Sequence, residues 1–507
     1  MVSSGIRILR KLGDRLRPAI CCAQFLDRRR CRTNTNLVSE AIMKRSFSTL
    51  SPANGQIYVQ RNWADEAEID QALARAVVAQ QQARAMPLSE RMAMCTAFVD
   101  AMLRDRDVMA EELTWQMGRP ISQAPGELRG FEERARRMIE LAPSALDVHR
   151  PPERAGFSRF VRRVPLGVVL VLSPWNYPYL TSVNAVIPAL LAGNAVILKH
   201  SEQTPLCAER YGAAAAAAGL PSGLFQYLHL THDDVAQVVA DPRVDYVAFT
   251  GSVAGGRAVT KAASSRFIGL GLELGGKDPA YVCADANVPY AVEQLVDGSF
   301  FNSGQSCCGI ERIYVHATRY EEFVTSFAEL TTRYVLGDPL QQATTLGPLV
   351  KNSAADFVRA QIAQALAAGA RALIDERAFP ASQPGTAYLA PQVLVDVDHT
   401  MAVMQEESFG PVVGIMAVAD DEQALQKMND SRYGLTASLW TADLQRAAHL
   451  GERIAAGTVF ANRCDYLDPD LAWTGVKDSG RGCTLSVMGF EHLTRPQSFH
   501  LKDQPRS

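Results

Sequence analysis

From residue 165 to residue 274 short apolar runs alternate with helical patterns, and few folds accept such a chain. Residues 168–172 read as a buried strand, 181–191 as a helix and 195–198 as a second strand. An alanine-rich helix over 206–218 is stopped by Gly219 and Pro221. Strands at 225–230, 246–249 and 267–274, with a short helix near Asp234 and another from Gly256, continue the alternation. This pattern predicts a doubly wound parallel sheet, which binds ligands beyond the carboxyl ends of its strands. Residues 63–140 are helical before it, and strand and helix signals resume after it at 312–315, 320–334 and 356–368.

The chemistry-bearing residues fall near those strand ends. Residues 269–277 read Gly-Leu-Gly-Leu-Glu-Leu-Gly-Gly-Lys, so Glu273 is a carboxyl group leaving an apolar strand, where partial desolvation raises its pKa toward that of a useful base. Residues 300–309 read Phe-Phe-Asn-Ser-Gly-Gln-Ser-Cys-Cys-Gly. A turn-forming cluster before Cys307 suits an exposed nucleophile, with Cys308 a rival on spacing alone. The bland alternatives are a cysteine acting as a small core hydrophobe and a Glu-Leu-Gly-Gly turn that merely ends a strand. Asn176, in Ser173-Pro174-Trp175-Asn176-Tyr177-Pro178, places an amide donor at a strand end, as an oxyanion requires, although the same residues make ordinary turns. The dinucleotide fingerprint Gly-x-Gly-x-x-Gly is absent. In its place residues 249–256 run Phe-Thr-Gly-Ser-Val-Ala-Gly-Gly from a strand into a helix N-terminus, where backbone N–H groups and Ser252 suit a pyrophosphate. Lys199 and Glu202 follow the strand at 195–198, and a carboxylate there accepts hydrogen bonds from a free ribose 2′-hydroxyl and repels a 2′-phosphate.

Glu-Leu-Gly-Gly-Lys and Phe-x-x-x-Gly-Gln-x-Cys, with Glu273 and Cys307 34 residues apart, resemble the signature motifs of the NAD(P)-dependent aldehyde dehydrogenase superfamily. Further matches run from Trp63 to His500. The resemblance implies an α/β fold with a Rossmann-type cofactor domain at 49–145 and 166–274, and an α/β catalytic domain at 275–480. A small β oligomerisation element is implied at 146–165 and 481–505. It makes Cys307 the nucleophile, Glu273 the deacylating base and Asn176 the oxyanion-hole side chain. Ser173, Trp175, Lys199, Glu202, Gly251, Ser252, Gly256, Leu274, Glu407 and Phe409 become cofactor contacts. NAD is favoured over NADP by Glu202, while His200 stands where the family usually has Pro. Trp473 and Thr474 replace a usual Phe and Gly, so that Tyr177, Tyr179 and Trp473 imply an aromatic-walled substrate tunnel. The Lys that many members carry on the helix after Asn176 is missing, with Asn184 and Ala185 in that neighbourhood, which implies a less charged pocket wall. The implied reaction oxidises an aldehyde to a carboxylic acid through a thiohemiacetal and a thioester. Acyl transfer to coenzyme A and cofactor-free cysteine hydrolysis are the rival chemistries.

Composition narrows the partners. A formal charge of −3 gives no reason to expect nucleic acid or an anionic membrane. The most apolar run, 181–198, is interrupted by Asn184, Pro188, Gly193 and Asn194 and does not read as a transmembrane segment. Ten scattered cysteines contain no Cys-x-x-Cys pair, so neither a metal site nor a disulfide framework is suggested. The expected partners are a small-molecule aldehyde and copies of the chain itself, as a homodimer or homotetramer. Residues 1–48 form a basic, acid-poor extension that reads either as a transit segment or as a tail before a start at Met43. The first reading implies the mitochondrial matrix and the second the cytoplasm.

Overall fold

The computed structural model describes residues 45–504, so most of the basic extension lies outside the described residues. Strands β1 (Ser46–Leu50) and β2 (Ile57–Asn62) pair antiparallel, and the fold thus starts inside the segment expected to be extension. The Ser-Phe-Ser-Thr-Leu alternation is a strand pattern that the basic residues before it obscure. Phe47 stacks on Trp63 with ring centroids 4.1 Å apart, and Arg45 pairs with Asp234 at 3.2 Å. Helices α1 (Glu66–Ala85), α2 (Leu88–Leu103), α3 (Arg106–Met117) and α4 (Ala124–Ala145) follow. Asp65 and Glu68 close α1 with a capping box, and Ala72, Leu73, Ala76, Ala79 and Ala83 form its buried stripe. Strand β3 (Phe157–Pro165) then leads into the sheet.

The alternation read from the sequence builds that sheet. Its units are β4 (Val168–Ser173), α5 (Pro178–Ala192), β5 (Ala195–His200), α6 (Pro205–Ala217), β6 (Phe225–Tyr227), α7 (His232–Ala240), β7 (Tyr246–Thr250), α8 (Val253–Ala262) and β8 (Gly269–Glu273). The strands lie parallel in the order β8-β7-β4-β5-β6. Winding therefore reverses between β4 and β7, and the crevice of such a sheet opens at that switch point. The Trp175–Asn176 turn leaves β4 there and the Gly251–Ser252 turn leaves β7. Helix α8 starts at Val253, three residues before the expected Gly256, because the Ser252 hydroxyl caps it by accepting the Gly255 N–H at 3.1 Å. Strand β5 continues through His200, so the residue that replaces Pro leaves the strand intact.

A second sheet holds β9 (Asp278–Val282), β10 (Ile310–His316), β11 (Arg371–Ala372), β12 (Gln392–Val395), β13 (Val412–Val418), β14 (Thr436–Trp440) and β15 (Thr458–Ala461). Their order is β11-β12-β13-β10-β9-β14-β15, parallel except for the β11 edge. The chain then returns to the first sheet, where β16 (Gly480–Arg481) pairs antiparallel with β8, Gly480 opposite Glu273. Strand β17 (Thr494–Lys502) pairs along its length with β3, from Thr494 opposite Pro165 to Lys502 opposite Phe157. Phe160 and Phe499 stack across this ribbon with centroids 4.5 Å apart. Among the described residues no helix is long and apolar enough to cross a membrane.

Asn194 ties these parts together. Its Oδ1 accepts the Leu166 N–H at 2.8 Å and the Gly167 N–H at 3.0 Å, while Nδ2 donates to the carbonyls of Ala189 at 3.2 Å and Leu493 at 2.9 Å. Replacing it by Ala leaves buried backbone groups unpaired at the start of β4 and at the root of the ribbon. Asn194→Ala is expected to lower unfolding stability by roughly 2–4 kcal/mol, read from the urea midpoint at unchanged slope.

Candidate active site

The segment before β10 runs through three consecutive left-handed residues, Asn302 at φ 52, Ser303 at φ 57 and Gly304 at φ 71. Two non-glycine residues in this region cost about 1 kcal/mol each or more, and the surroundings must hold them there. Asn302 Oδ1 accepts from Arg119 Nε at 3.2 Å, and Ser303 Oγ donates to the Gly347 carbonyl at 2.8 Å. The Gln305 amide donates to the Asn302 carbonyl at 3.2 Å and accepts the Val350 N–H at 2.8 Å. So fixed, the loop presents Cys307, partly exposed, to a cavity of about 420 Å³. Cys308 is 3% exposed and gives its thiol hydrogen to Asp465 Oδ1 at 2.9 Å. The neighbouring Cys307 thiol and burial together hold Cys308 well above the usual thiol range. Geometry thus separates the two cysteines that spacing alone left equal.

Asn176 faces this loop. Its Nδ2 donates to the Gln305 carbonyl at 3.2 Å, which ties the end of β4 to the nucleophile segment. The turn itself is held by a buried ion pair absent from the sequence reading. Arg119 donates to the Asn176 carbonyl and meets Glu127 Oε2 at 2.5 Å, and Glu127 Oε1 accepts the N–H groups of Tyr179 and Leu180 at 2.9 Å each. A carboxylate at the start of α5 is favoured by the free N–H groups there. The only local trace of Arg119 was the helix stop Gly118-Arg119-Pro120, and Glu127 carried no signal.

Glu273 ends β8 and lines the same cavity as Cys307. Burial raises its pKa, while the hydroxyls of Thr484 and Thr250 donate to its oxygens at 2.5 and 3.1 Å. Gly276 lets this strand end approach the nucleophile loop, because a Cβ there would lie 2.5 Å from the Cys307 carbonyl oxygen. Tyr177 and Trp473, expected in a substrate tunnel, line this cavity, and so does Leu274, expected among the cofactor contacts. Tyr179 does not. It is fully buried beside Tyr211, because α5 begins at Pro178 and turns the two tyrosines to different sides. The expected loss of charge beside Asn184 and Ala185 is also corrected, because Arg134 of α4 lines that wall and donates to Asn184 Oδ1 at 3.4 Å.

The remaining predicted residues stand at or just after the ends of β4, β5, β7 and β8 and on the loop before β13. Ser173 closes β4, and Trp175 meets the Phe409 ring edge-on at 5.6 Å. Gly251, Ser252 and Gly256 form the turn into α8, whose first N–H groups, Val253 and Ala254, have no intrahelical acceptor. Lys199 follows on β5, with its ammonium held below the usual range by burial, and Glu202 is exposed. Glu407 Oε1 accepts the Gly276 N–H at 3.0 Å, and burial pushes its carboxyl up to about 8. Its loop rests on Glu311, which accepts the N–H groups of Ser408 and Phe409 at 2.8 Å each and the Lys277 ammonium at 2.6 Å. Free helix N–H donors beside strand-end carboxyls form a donor set that fits the phosphates and ribose hydroxyls of a dinucleotide.

A thiol, a burial-raised carboxyl and a tethered amide stand beside a crevice of the dinucleotide type. Comparison gives the family. Residues 38–499 match the model of the aldehyde dehydrogenase family, and the chain belongs to it. It is 34% identical over 465 residues to a succinate-semialdehyde dehydrogenase [NADP(+)] of Deinococcus radiodurans, covering 91% of this chain and 97% of that one. It is 33% identical to a betaine aldehyde dehydrogenase of Agrobacterium fabrum, covering 90% and 92%. Among solved structures, an aldehyde dehydrogenase of Brucella melitensis biovar abortus superposes with a TM-score of 0.87 at 26% identity, over 91% and 94% of the two chains. The succinic semialdehyde dehydrogenase of Streptococcus pyogenes, solved with NADP+, gives 0.86 at 28% identity, over 90% and 100%. The chain is therefore an oxidoreductase acting on aldehydes, and its family uses nicotinamide dinucleotides. The relatives named for NADP do not support the expected NAD preference.

Glu311 gives the cofactor side a direct test. Removing it leaves Lys277 charged in a site with 1% exposure and frees the Ser408 and Phe409 N–H groups. Glu311→Ala is expected to lose about 3–5 kcal/mol of stability in urea unfolding. Nicotinamide nucleotide KM is expected to rise at least tenfold in steady-state kinetics, because the Glu407–Phe409 loop loses its support.

Proposed function

We propose that the protein oxidises an aldehyde to its carboxylic acid through a covalent adduct on Cys307, with Glu273 activating the hydrolytic water. The observation that carries this reading is one cavity lined by both Cys307 and Glu273, with the Asn176 amide tethered to the nucleophile loop. Cys307 Sγ, as the thiolate, attacks the aldehyde carbonyl carbon, and the π-bond pair moves to the oxygen. The developing oxyanion accepts hydrogen bonds from the remaining Asn176 amide N–H and the Cys307 backbone N–H, donors set in place before the reaction. A bound nicotinamide dinucleotide would supply the hydride acceptor, held by the α8 turn and the Glu407–Phe409 loop. Collapse of the oxyanion leaves a thioester on Cys307. Glu273, held by two hydroxyl donors, then takes a proton from water, which attacks the thioester and releases acid and free thiol.

The rivals meet specific objections. Acyl transfer to coenzyme A has no use for a buried base at Glu273, and among the described residues no histidine lines the cavity to serve a cofactor-free hydrolase. For the nucleotide, the Glu202 carboxylate favours NAD. The relatives' names, together with Lys199 as a cation for a 2′-phosphate, favour NADP, so the ratio of kcat/KM values decides. Those names divide between an anionic and a cationic aldehyde, which leaves substrate charge to the cavity lining. The β3–β17 ribbon is the element through which copies associate as a dimer or tetramer; β3 occupies one edge of β17, and a partner would meet the other faces. A thiol nucleophile requires a reducing compartment, and the cytoplasm is the first choice.

Cys307→Ala is expected to abolish reduction of the nucleotide followed by absorbance. Glu273→Gln is expected to give a burst of about one reduced nucleotide per site, followed by turnover at least ~100-fold slower. Coenzyme A restoring the rate after that burst would favour acyl transfer. Burial raises the Glu273 pKa, and the base works only when deprotonated, so kcat is expected to rise with pH through that elevated pKa. Glu273→Gln is expected to lose this rising limb.

A further inference from the structure

Four cations are buried among the described residues, namely Arg119, Arg134, Lys277 and Arg312. Three are fully engaged. Arg119 meets Glu127, Asn302 and the Asn176 carbonyl, and Lys277 meets Glu311 and Ser408. Arg312 spends its donors on the carbonyls of Lys277, Lys427 and Met428 and on the Tyr314 hydroxyl. Arg134 differs. It is 8% exposed, forms no ion pair among the described residues, and hydrogen-bonds through Nη1 alone, to the Leu180 carbonyl at 2.7 Å and Asn184 Oδ1 at 3.4 Å. Its Nε and Nη2 have no partner among the described residues, yet neither is sealed away from the cavity that also holds Cys307.

We propose that Arg134 is the specificity residue of this site, and that its free Nε–Nη2 edge binds a carboxylate at the far end of the substrate, making the substrate class aldehydes that carry a carboxylate. The inference rests on the aldehyde-oxidising reading above. A buried guanidinium with an unused edge is costly to keep, and a carboxylate matches that edge with two parallel hydrogen bonds. The two bonds to Leu180 and Asn184 fix the head group, so the free edge is set before binding. Asp465, which lines the same cavity, also acts on Arg134, and its Oδ1 accepts from the Ser306 hydroxyl and the Cys308 thiol at 2.9 Å each. Glu127 and Glu273 act on Arg134 from nearby as well, but the first is paired with Arg119 and the second is held by Thr250 and Thr484. Neither is free to occupy the edge. Their charges also argue against a dianionic phosphate, which one guanidinium would not offset.

The test compares 4-oxobutanoate with butanal, a neutral aldehyde of the same chain length, on the full-length protein. For the wild type, 4-oxobutanoate is expected to have the higher kcat/KM, and succinate is expected to inhibit competitively against it. In Arg134→Gln the ratio of the two kcat/KM values is expected to fall about 100-fold, mainly through KM, with inhibition by succinate lost. Arg134→Lys keeps the charge without the fork and is expected to fall between. The proposal is overturned if the ratio is unchanged in Arg134→Gln or if both aldehydes lose equally, the mark of a structural role. It is also overturned if the Arg134-dependent substrate is glyceraldehyde 3-phosphate. Should either variant fail to fold, a wild type that prefers butanal or ignores succinate overturns it unaided. Cys307-dependent oxidation of butanal alone would leave the reading of the reaction standing, whereas a wild type oxidising neither aldehyde would remove both.

Discussion

The contact between Arg119 and Glu127 is the one on which the site's geometry turns. It joins the residue after α3 to a side chain of α4, and from there reaches the start of α5, the Asn176 carbonyl and the Asn302 side chain. One ion pair thereby sets the distance between the oxyanion turn and the nucleophile loop. Two charges at 1% and 0% side-chain exposure are expensive to desolvate, and a pair of hydrophobic residues would be no less stable. What hydrophobic residues lack is direction. Three guanidinium donors and two carboxylate acceptors orient four separate backbone segments, and apolar packing cannot encode that many angles.

The same economy recurs at a second buried ion pair, where Lys277 and Glu311 hold the Glu407–Phe409 loop. Phe409 at φ 53 is as strained as Asn302 and Ser303. Strain and buried charge thus occur together, and the reason is mechanical. A left-handed bulky residue relaxes unless several strong, directional bonds oppose it, and charged acceptors make such bonds. Both halves of the crevice use a buried ion pair to keep a strained loop in place.

The roles proposed for Glu273, Cys307 and Asn176 come from the sequence, because each sits in a local context with chemical meaning. A carboxyl between leucines before two glycines, or a cysteine after a turn cluster, announces an unusual environment within ten residues. The strands of the first sheet were legible for the same reason, since apolar runs between helix stops are local. Arg119, Glu127, Arg134, Glu311 and Thr484 were not. Arg119 meets Asn302 across 183 residues of chain, and Thr484 meets Glu273 across 211. On any short window these are ordinary polar residues, and their burial is made by segments the window does not contain. Tyr179 shows the converse error, since an aromatic two residues from cavity-lining Tyr177 belongs to the core once a helix begins between them.

Burial also sets the direction in which pH acts on the site. Glu407 is pushed up to about 8 and Asp465 to about 6, from ordinary values of 4.5 and 3.8, with desolvation the largest cause for each. The folded chain therefore binds more protons at these positions than the unfolded chain between those limits, and the stability they contribute fades as pH rises through them. Under the proposed mechanism a base in the same cavity works in the opposite sense, since Glu273 would gain activity as it loses its proton. The site is consequently most secure where its chemistry is slowest. A ligand that supplies hydrogen-bond donors to the Glu407 carboxylate offsets part of this penalty, because a donor favours the charged form that burial disfavours. The crevice is then stabilised by what it binds, in the pH range where its base is active.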